Sequence, residues 1–387
     1  MQKICDLKEY LNSNIWKDIL SILIIFLFPP LLLFFGIYNL KKRNDRIAYF
    51  QIALFLGWIA YCTIPYEGSD LYSHYQVIDR LSNKTLDRIF DYGYEFVYLN
   101  NFIMWLIGHI GNYALYQGVL TFIGYYFLFK YIKEISSKKS IKRKYLIFIL
   151  IFIFFLSYYR TYIFAIRNYF CFILGTYFYY KYQKGNMNKW IFLLLILFLS
   201  FIHPSSLIFY ILFLFDYIKN KKIKYCIYFI VLFNQVILEI LSLFFEHKNP
   251  FLDKIFGYVD LFYVVNINSL ILYILTLIFA IFIIYRLKKH NIKIKQNIIL
   301  LIILNLSLIT NQELLRRFIY LIPLFIIEPL FDFYNIEQKK YIYIGNLIMI
   351  GLCFVAFMYM VAATRAYGWN INMKFLVFPL FNIFGIY

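Results

Sequence analysis

Long apolar stretches follow one another along almost the whole chain, and polar residues gather in short breaks between them. A helix that crosses the hydrocarbon core of a bilayer needs about 20 apolar residues. On that measure, spans are predicted near 17–38, 47–64, 112–133, 145–160, 163–181, 190–202, 204–218, 225–245, 269–287, 297–311, 314–333 and 341–363. The expected fold is therefore all-α: a polytopic integral membrane protein with about twelve transmembrane helices. No polar stretch is long enough to bury a core of its own, so residues 1–387 read as a single membrane-embedded domain.

The polar breaks carry a second pattern. Basic runs occur at Lys41-Lys42-Arg43, from Lys138 to Lys144, at Lys219-Asn220-Lys221-Lys222, at Lys288-Lys289 with Lys293 and Lys295, and at Lys339-Lys340. Short basic loops stay on the cytoplasmic side, which predicts the topology. Counting Tyr94–Ile110 as a crossing would put the run around Lys142 outside. It is therefore expected to be a re-entrant or interfacial helix of the outer face, inside an extracytoplasmic loop over 65–111. The segment 190–218 has basic flanks at both ends and must go out and return within that length. Its midpoint is His203-Pro204, and proline ends or kinks a helix, so a short hairpin is expected to turn there. From Pro65 to Glu95 there are six acids (Glu67, Asp70, Asp79, Asp87, Asp91, Glu95) against three bases (Arg80, Lys84, Arg88), the balance of an outside loop. The 246–268 loop is likewise net acidic.

Composition agrees with the pattern and narrows the partners. The chain is 63% hydrophobic and 23% aromatic with only 15% charged residues, and its mean hydropathy is +0.69. The 39 Lys and Arg exceed the 20 Asp and Glu, but they sit in the short runs that set topology, so nucleic acid is not an expected partner. Cys5, Cys62, Cys171, Cys226 and Cys353 are scattered singly, which indicates neither a disulfide framework nor a zinc site. The opening MQKICDLKEYLNSNIWKD lacks the small-residue cleavage site of a removable signal peptide, so the first apolar stretch is expected to remain as a membrane helix.

Against this background a few polar residues stand out. Arg160, Arg167 and His203-Pro204-Ser205-Ser206 interrupt near-continuous hydrocarbon, and ionisable groups at membrane depth mark functional sites by default. On the predicted topology they share the outer side with Asp70, Arg316, Arg317 and Arg365, where they would line one outward-facing cavity. Arginine offers a permanently charged fork of donors suited to phosphate. Arg160 and Arg167, seven apart, share a face if their helix is continuous. A lipid-linked diphosphate at the outer leaflet would suit the set, and the 39 tyrosines offer surfaces for sugar rings.

Each candidate also has an ordinary structural reading. Arg167 would snorkel to headgroups, but on a face where Lys and Arg are depleted, which favours function. Asp70 would cap a helix that starts near Leu71, and Glu95 would sit at a helix start favoured by the dipole. His203 would satisfy a backbone group freed by Pro204, and Arg316 and Arg317 would pair with Glu313. Arg365 lies in what reads as an exposed loop, Ala362 to Trp369.

The ordered set Gly68-Ser69-Asp70 with Tyr72 and Tyr75, Tyr94-Glu95 opening a hydrophobic helix, Arg167 starting a span, and Phe201-Ile202-His203-Pro204-Ser205-Ser206 resembles the EpsG family of exopolysaccharide proteins. The closing Phe378-Pro379-Leu380-Phe381-Asn382-Ile383-Phe384 resembles that family's proline-aromatic end. The family is similar to Wzy-type O-antigen and capsule polymerases. The resemblance implies a glycosyltransferase-C-like polymerase of the bacterial cytoplasmic membrane that joins repeat units carried on undecaprenyl diphosphate. A flippase and a chain-length regulator of the same pathway would be its partners. Such chemistry requires positive charge on the departing diphosphate, which Arg167, Arg160, Arg316 and Arg317 would supply. It also requires an acceptor for the hydroxyl proton, for which Asp70, His203 and Glu95 are the candidates. Tyr72 and Tyr75 would contact sugar. The activated donor already carries a good leaving group, so no metal or cofactor is expected.

Three alternatives differ in what they demand. A lipid-linked oligosaccharide flippase needs polar residues along a whole crossing, whereas the inner halves of these spans are largely apolar. An O-antigen ligase would use the same chemistry on another acceptor, and a non-enzymatic scaffold would tolerate loss of every candidate above.

Overall fold

The computed structural model describes residues 16–17, 19–139, 141–156, 159–234, 236–237, 267–309, 311–367, 370–377 and 379. Among them the chain is almost entirely helical. A helix α1 over 19–27 stops before Phe28-Pro29, and α2 (Pro30–Lys41) and α3 (Asp45–Tyr61) follow. Next come α4 (Asp70–Ser82), the one-turn α5 (Ile89–Tyr92) and α6 (Tyr98–Ile110). The long α7 (Ala114–Lys139) leads into α8 (Arg143–Leu156), the short α9 (Tyr159–Phe164) and α10 (Ile166–Gln183). A hairpin of α11 (Lys189–Ser200) and α12 (Ile208–Tyr217) turns through a 3₁₀ segment, Pro204–Leu207. After α13 (Lys221–Leu232) the described chain resumes with α14 (Ile267–Lys289), α15 (Gln296–Ser307), α16 (Gln312–Phe318) and α17 (Leu321–Ile336). It ends with α18 (Lys339–Tyr367) and α19 (Met373–Val377). Two short strands, β1 (Thr63–Ile64) and β2 (Asn370–Ile371), pair antiparallel and tie the C-terminal segment to the end of α3.

Close crossings hold the bundle together. Where α3 meets α7, a Cβ on Gly57 would lie 2.7 Å from Phe122 Cβ and 2.9 Å from the Gly118 carbonyl. Absent side chains at both positions let the backbones approach, the device by which helices pack where both surfaces are apolar. Aromatic side chains fill the interior, with Tyr116, Tyr125, Tyr162, Phe172 and Phe209 among those fully buried.

Two ends of the bundle differ in chemistry. At the basic end, Glu328 receives Lys184 at 2.8 Å and Lys295 at 2.7 Å, with Lys139 Nζ 3.8 Å away and also on Asp332. Arg286 grips Glu337 through two bonds of 2.8 and 3.0 Å, and His290 Nε2 lies 3.1 Å from the same carboxylate. Arg143 pairs with Asp45, and Lys181 with Glu134. The helix ends that carry the basic runs are thus brought together, as the charge pattern predicts.

Twelve crossings are not established by these helices. Among the described residues, Leu270–Lys289 and Lys339–Arg365 are long and apolar enough to span a bilayer. The helices α11 and α12 have 12 and 10 residues, about 18 and 15 Å, roughly half the hydrocarbon thickness. They form the short hairpin expected of 190–218. The helix α6, expected to be re-entrant or interfacial, has 13 residues and is also too short to cross. The predicted 225–245 span beyond Ile237 and nearly all of the acidic 246–268 loop lie outside the described residues, as do Phe378 and 380–384. Residues 362–367 are a departure from expectation: they continue α18 as helix instead of forming a loop. Alanines at 362, 363 and 366 favour the helix, and Thr364 Oγ1 donates back to the Met360 carbonyl at 2.8 Å.

Candidate functional site

The end opposite the paired lysines is built around α4, the turn before α6, and the first turn of α10. Ser69 caps α4, its hydroxyl accepting from Tyr72 N at 3.1 Å. Asp70 is therefore the first helical residue and not the cap, and its side chain is exposed. On the buried face of the same helix lies His74, 2% exposed, with Nδ1 2.9 Å from the Tyr94 hydroxyl. Burial pushes the His74 pKa well below its ordinary value, and the positive fields of Arg167 and His203 push it the same way. His74 is consequently a neutral hydrogen-bonding partner of Tyr94 near neutral pH.

Tyr94 is held on both its backbone and its side chain. Asn101, fully buried in α6, accepts from Tyr94 N at 2.9 Å and donates to Tyr94 O at 2.6 Å. Gly93 makes this grip feasible, since a Cβ at that position would overlap the Asn101 amide. The adjacent Asn100 accepts from the fully buried Tyr116 hydroxyl at 2.8 Å, and its backbone N–H donates to the Phe201 carbonyl at 3.1 Å. The Tyr116 ring meets His74 edge-on. The α6 helix therefore fixes Tyr94 on one side and the approach to the His203 turn on the other.

Arg167 enters from the first turn of α10 and lays its guanidinium over the Tyr94 ring, 4.5 Å from the centroid. Such a contact orients a cation without neutralising it. No carboxylate among the described residues lies within ion-pairing distance of Arg167. Its neighbour Asn168 takes the Ser205 hydroxyl on Oδ1 and donates from Nδ2 to the Arg317 carbonyl at 3.4 Å. The His203 turn and α16 are thereby seated against the start of α10.

His203 caps the 3₁₀ turn, its Nδ1 accepting from Ser205 N at 3.2 Å with Ser205 Oγ 2.7 Å away. Ser205 Oγ gives its proton to Asn168 Oδ1 and would accept from Nδ1, whereas Ser205 N donates to it, so the two contacts favour opposite ring tautomers.

The structure thus brings Arg167, His203 and the backbone of Arg317 together, while the remaining expected residues stand around them. Arg160 is buried elsewhere, its guanidinium 4.9 Å from the Phe164 ring centroid and 5.7 Å from that of Tyr66. Ala165 leaves helical geometry between α9 and α10 (φ −113°, ψ 41°), so the continuous helix that would align Arg160 with Arg167 is interrupted. Glu95 is exposed just after Tyr94, and Phe96 beside it has a positive φ of 61°. Arg316 is exposed in the last turn of α16; the Glu313 side chain lies outside the described residues. Arg365 is exposed near the end of α18. Tyr72 is half-buried, and Tyr75 faces a separate cavity beside Gln117. Burial raises the Tyr94 phenol pKa, with Arg167 lowering it and Asp70 raising it, so fields of both signs reach this ring.

His74, Asn100, Asn101 and Tyr116 were not singled out from sequence as site residues. A signal was there: adjacent asparagines inside an apolar run are costly to bury without partners, and Gly93 precedes a tyrosine that needs close approach.

No curated protein and no solved structure matches the chain. The model of the EpsG family matches residues 66–379, nearly the whole chain and every element of the site just described. This protein therefore belongs to the EpsG family, a Wzy-like polymerase family associated with exopolysaccharide synthesis and with the membrane.

Proposed function

We propose that the protein polymerises oligosaccharide repeat units carried on undecaprenyl diphosphate into a surface polysaccharide. The reaction would take place at the extracytoplasmic face of the bacterial cytoplasmic membrane. In each cycle the bond between the growing chain's anomeric carbon and its diphosphate breaks, and a bond to a hydroxyl of the next lipid-linked unit forms. Undecaprenyl diphosphate departs, and the hydroxyl proton passes to a base.

The observation that carries this reading is Arg167: held over Tyr94, without a carboxylate partner among the described residues, at the N-terminus of an 18-residue helix. Guanidinium and helix N-terminus together form a site for anionic oxygen. Charge that builds on the leaving diphosphate would be stabilised there as it develops. His203 would contact a substrate oxygen through Nε2. Asp70, whose field reaches Tyr94, exposed Glu95 and His203 are the candidate bases. Arg317, joined to α10 through Asn168, would extend the diphosphate site together with its neighbour Arg316, whereas Arg160, buried against Phe164 and Tyr66, would lie apart from it.

The test is chain extension by the purified protein. Incubated with its authentic lipid-linked repeat unit, it should give a ladder of products spaced by one unit and release undecaprenyl diphosphate. Absence of a ladder with intact substrate and folded protein would refute the reading.

A further inference from the structure

On the other face of α4 lies a cavity of about 250 Å³ between the end of α3, the start of α7 and the C-terminal segment. We propose that it is a saccharide subsite, which holds one neutral sugar residue of the substrate chain away from the reacting diphosphate. This inference rests on the polymerase reading for its purpose but not for its geometry.

The lining decides the ligand class. Tyr61, Thr63, Pro65, Tyr75, Asn372 and Phe375 form most of the wall, and none of the lining residues is charged. A diphosphate would find no counter-charge there. A pyranose ring presents apolar C–H faces and a rim of hydroxyls, which match aromatic rings interspersed with single polar groups. The Tyr61 ring is braced from behind by Trp58, stacked at 4.9 Å. Gln117 Nε2 donates to Tyr75 Oη at 2.7 Å and to the Thr63 carbonyl at 3.2 Å. Tyr75 Oη in turn donates to Gln117 Oε1 at 3.1 Å, so the group left for a sugar hydroxyl is the remaining lone pair of the phenol oxygen. Burial raises the Tyr75 pKa to about 12, so the phenol stays protonated and keeps this pairing with Gln117 throughout the physiological range.

The cavity is also a fastened structure and not a gap between loose segments. Asn372 N donates to the Cys62 carbonyl at 2.8 Å, Trp58 Nε1 donates to the Phe375 carbonyl at 3.2 Å, and β1 pairs with β2. Its relation to Arg167 follows from α4. Tyr75 and His74 are consecutive, and successive helical residues point about 100° apart, so one helix presents Tyr75 to the cavity and His74 to the Tyr94–Arg167 cluster. A multi-sugar chain lying across the outer end of α4 would meet both.

Two measurements test the subsite with the full-length protein in detergent. The first is calorimetric titration with the repeat-unit oligosaccharide freed of its lipid diphosphate. Wild type should bind, Tyr75→Phe and the cavity-filling Ala114→Phe should each weaken binding at least about tenfold, and Arg167→Ala should bind as wild type does. The second is the rate of chain extension against substrate concentration: the two cavity variants should raise KM by a similar factor with kcat within about twofold. Melting temperatures and size-exclusion profiles matched to wild type exclude misfolding, and Tyr75→Phe is the conservative check on Ala114→Phe. Failure of wild type to bind the free oligosaccharide, or unchanged binding by both variants, would overturn the subsite. A normal KM in both variants of an active polymerase would overturn it while sparing the polymerase reading. Binding through the cavity without any ladder would keep the subsite and sink the polymerase.

Discussion

The two ends of the bundle handle positive charge in opposite ways. At one end several lysines and arginines share carboxylates of the same chain: Glu328 gathers Lys184 and Lys295 with Lys139 nearby, and Glu337 takes Arg286 in a bidentate grip. At the other end Arg167 is held by the Tyr94 ring, with no carboxylate of the described residues in reach. A cation neutralised inside the protein joins helices, whereas one oriented by an aromatic face keeps its charge for an incoming anion. The first end reads as structure and the second as a binding site.

This contrast predicts a crossover between activity and stability. Replacing Arg167 with Ala should lower chain extension by about 10² to 10³, the usual loss when one charge-stabilising donor is removed. The melting temperature should barely change, because only a cation–π contact of about 1 kcal/mol is lost. Glu328→Ala should do the reverse. It leaves neighbouring lysines without their shared carboxylate, at a cost of roughly 3 kcal/mol discounted for their partial exposure, with turnover per folded molecule near wild type. Thermal unfolding and ladder assays on both variants would show whether the roles separate. Equal loss of stability in both would abolish the distinction between the ends.

The basic end was the more legible of the two in sequence, and the reason is physical. Lysine runs such as Lys138 to Lys144 are local, so their shared side follows from counting. Arg167, His203 and the hairpin around Pro204 were also visible, because polar groups inside apolar runs are conspicuous. What pairs with what was not visible. The seating of Ser205 on Asn168 and of Asn100 on Phe201 joins residues 37 and 101 positions apart, and no local pattern encodes that. The expected common face of Arg160 and Arg167 failed for a related reason, since it depended on helical geometry at Ala165, where the backbone departs from it. Helix lengths were misread where apolar runs continue through breaks, as at Phe28-Pro29 between α1 and α2.

The positioning of Tyr94 gives a sharper test of the site end. Gly93→Ala places a methyl group where the Asn101 amide sits, and overpacking of this kind costs about 1 to 3 kcal/mol. If that is relieved by a shift of Tyr94, Arg167 moves with it, and activity should fall about tenfold. Asn101→Ala, which frees the same backbone without a clash, should fall in parallel. A Gly93→Ala enzyme that is destabilised but fully active per folded molecule would show that Tyr94 does not orient Arg167.

The smallest effect expected belongs to the other end and is read through pH. Burial opposes ionisation of Glu337, but the bonds from Arg286 and the proximity of His290 outweigh it and hold its pKa below the ordinary glutamate value. A carboxylate with a depressed pKa in the folded state contributes stability above its unfolded value and loses that contribution as pH falls through the folded one. Wild type should therefore melt higher than Glu337→Gln at pH 7, and the gap should close as the pH is taken below the ordinary glutamate range. Arg167, with no carboxylate partner, should give no such gap: the difference in melting temperature between wild type and Arg167→Ala should be flat over the same range. A gap that closes for Arg167 as well would reveal an acid partner at the site end and remove the charge asymmetry on which the diphosphate assignment rests.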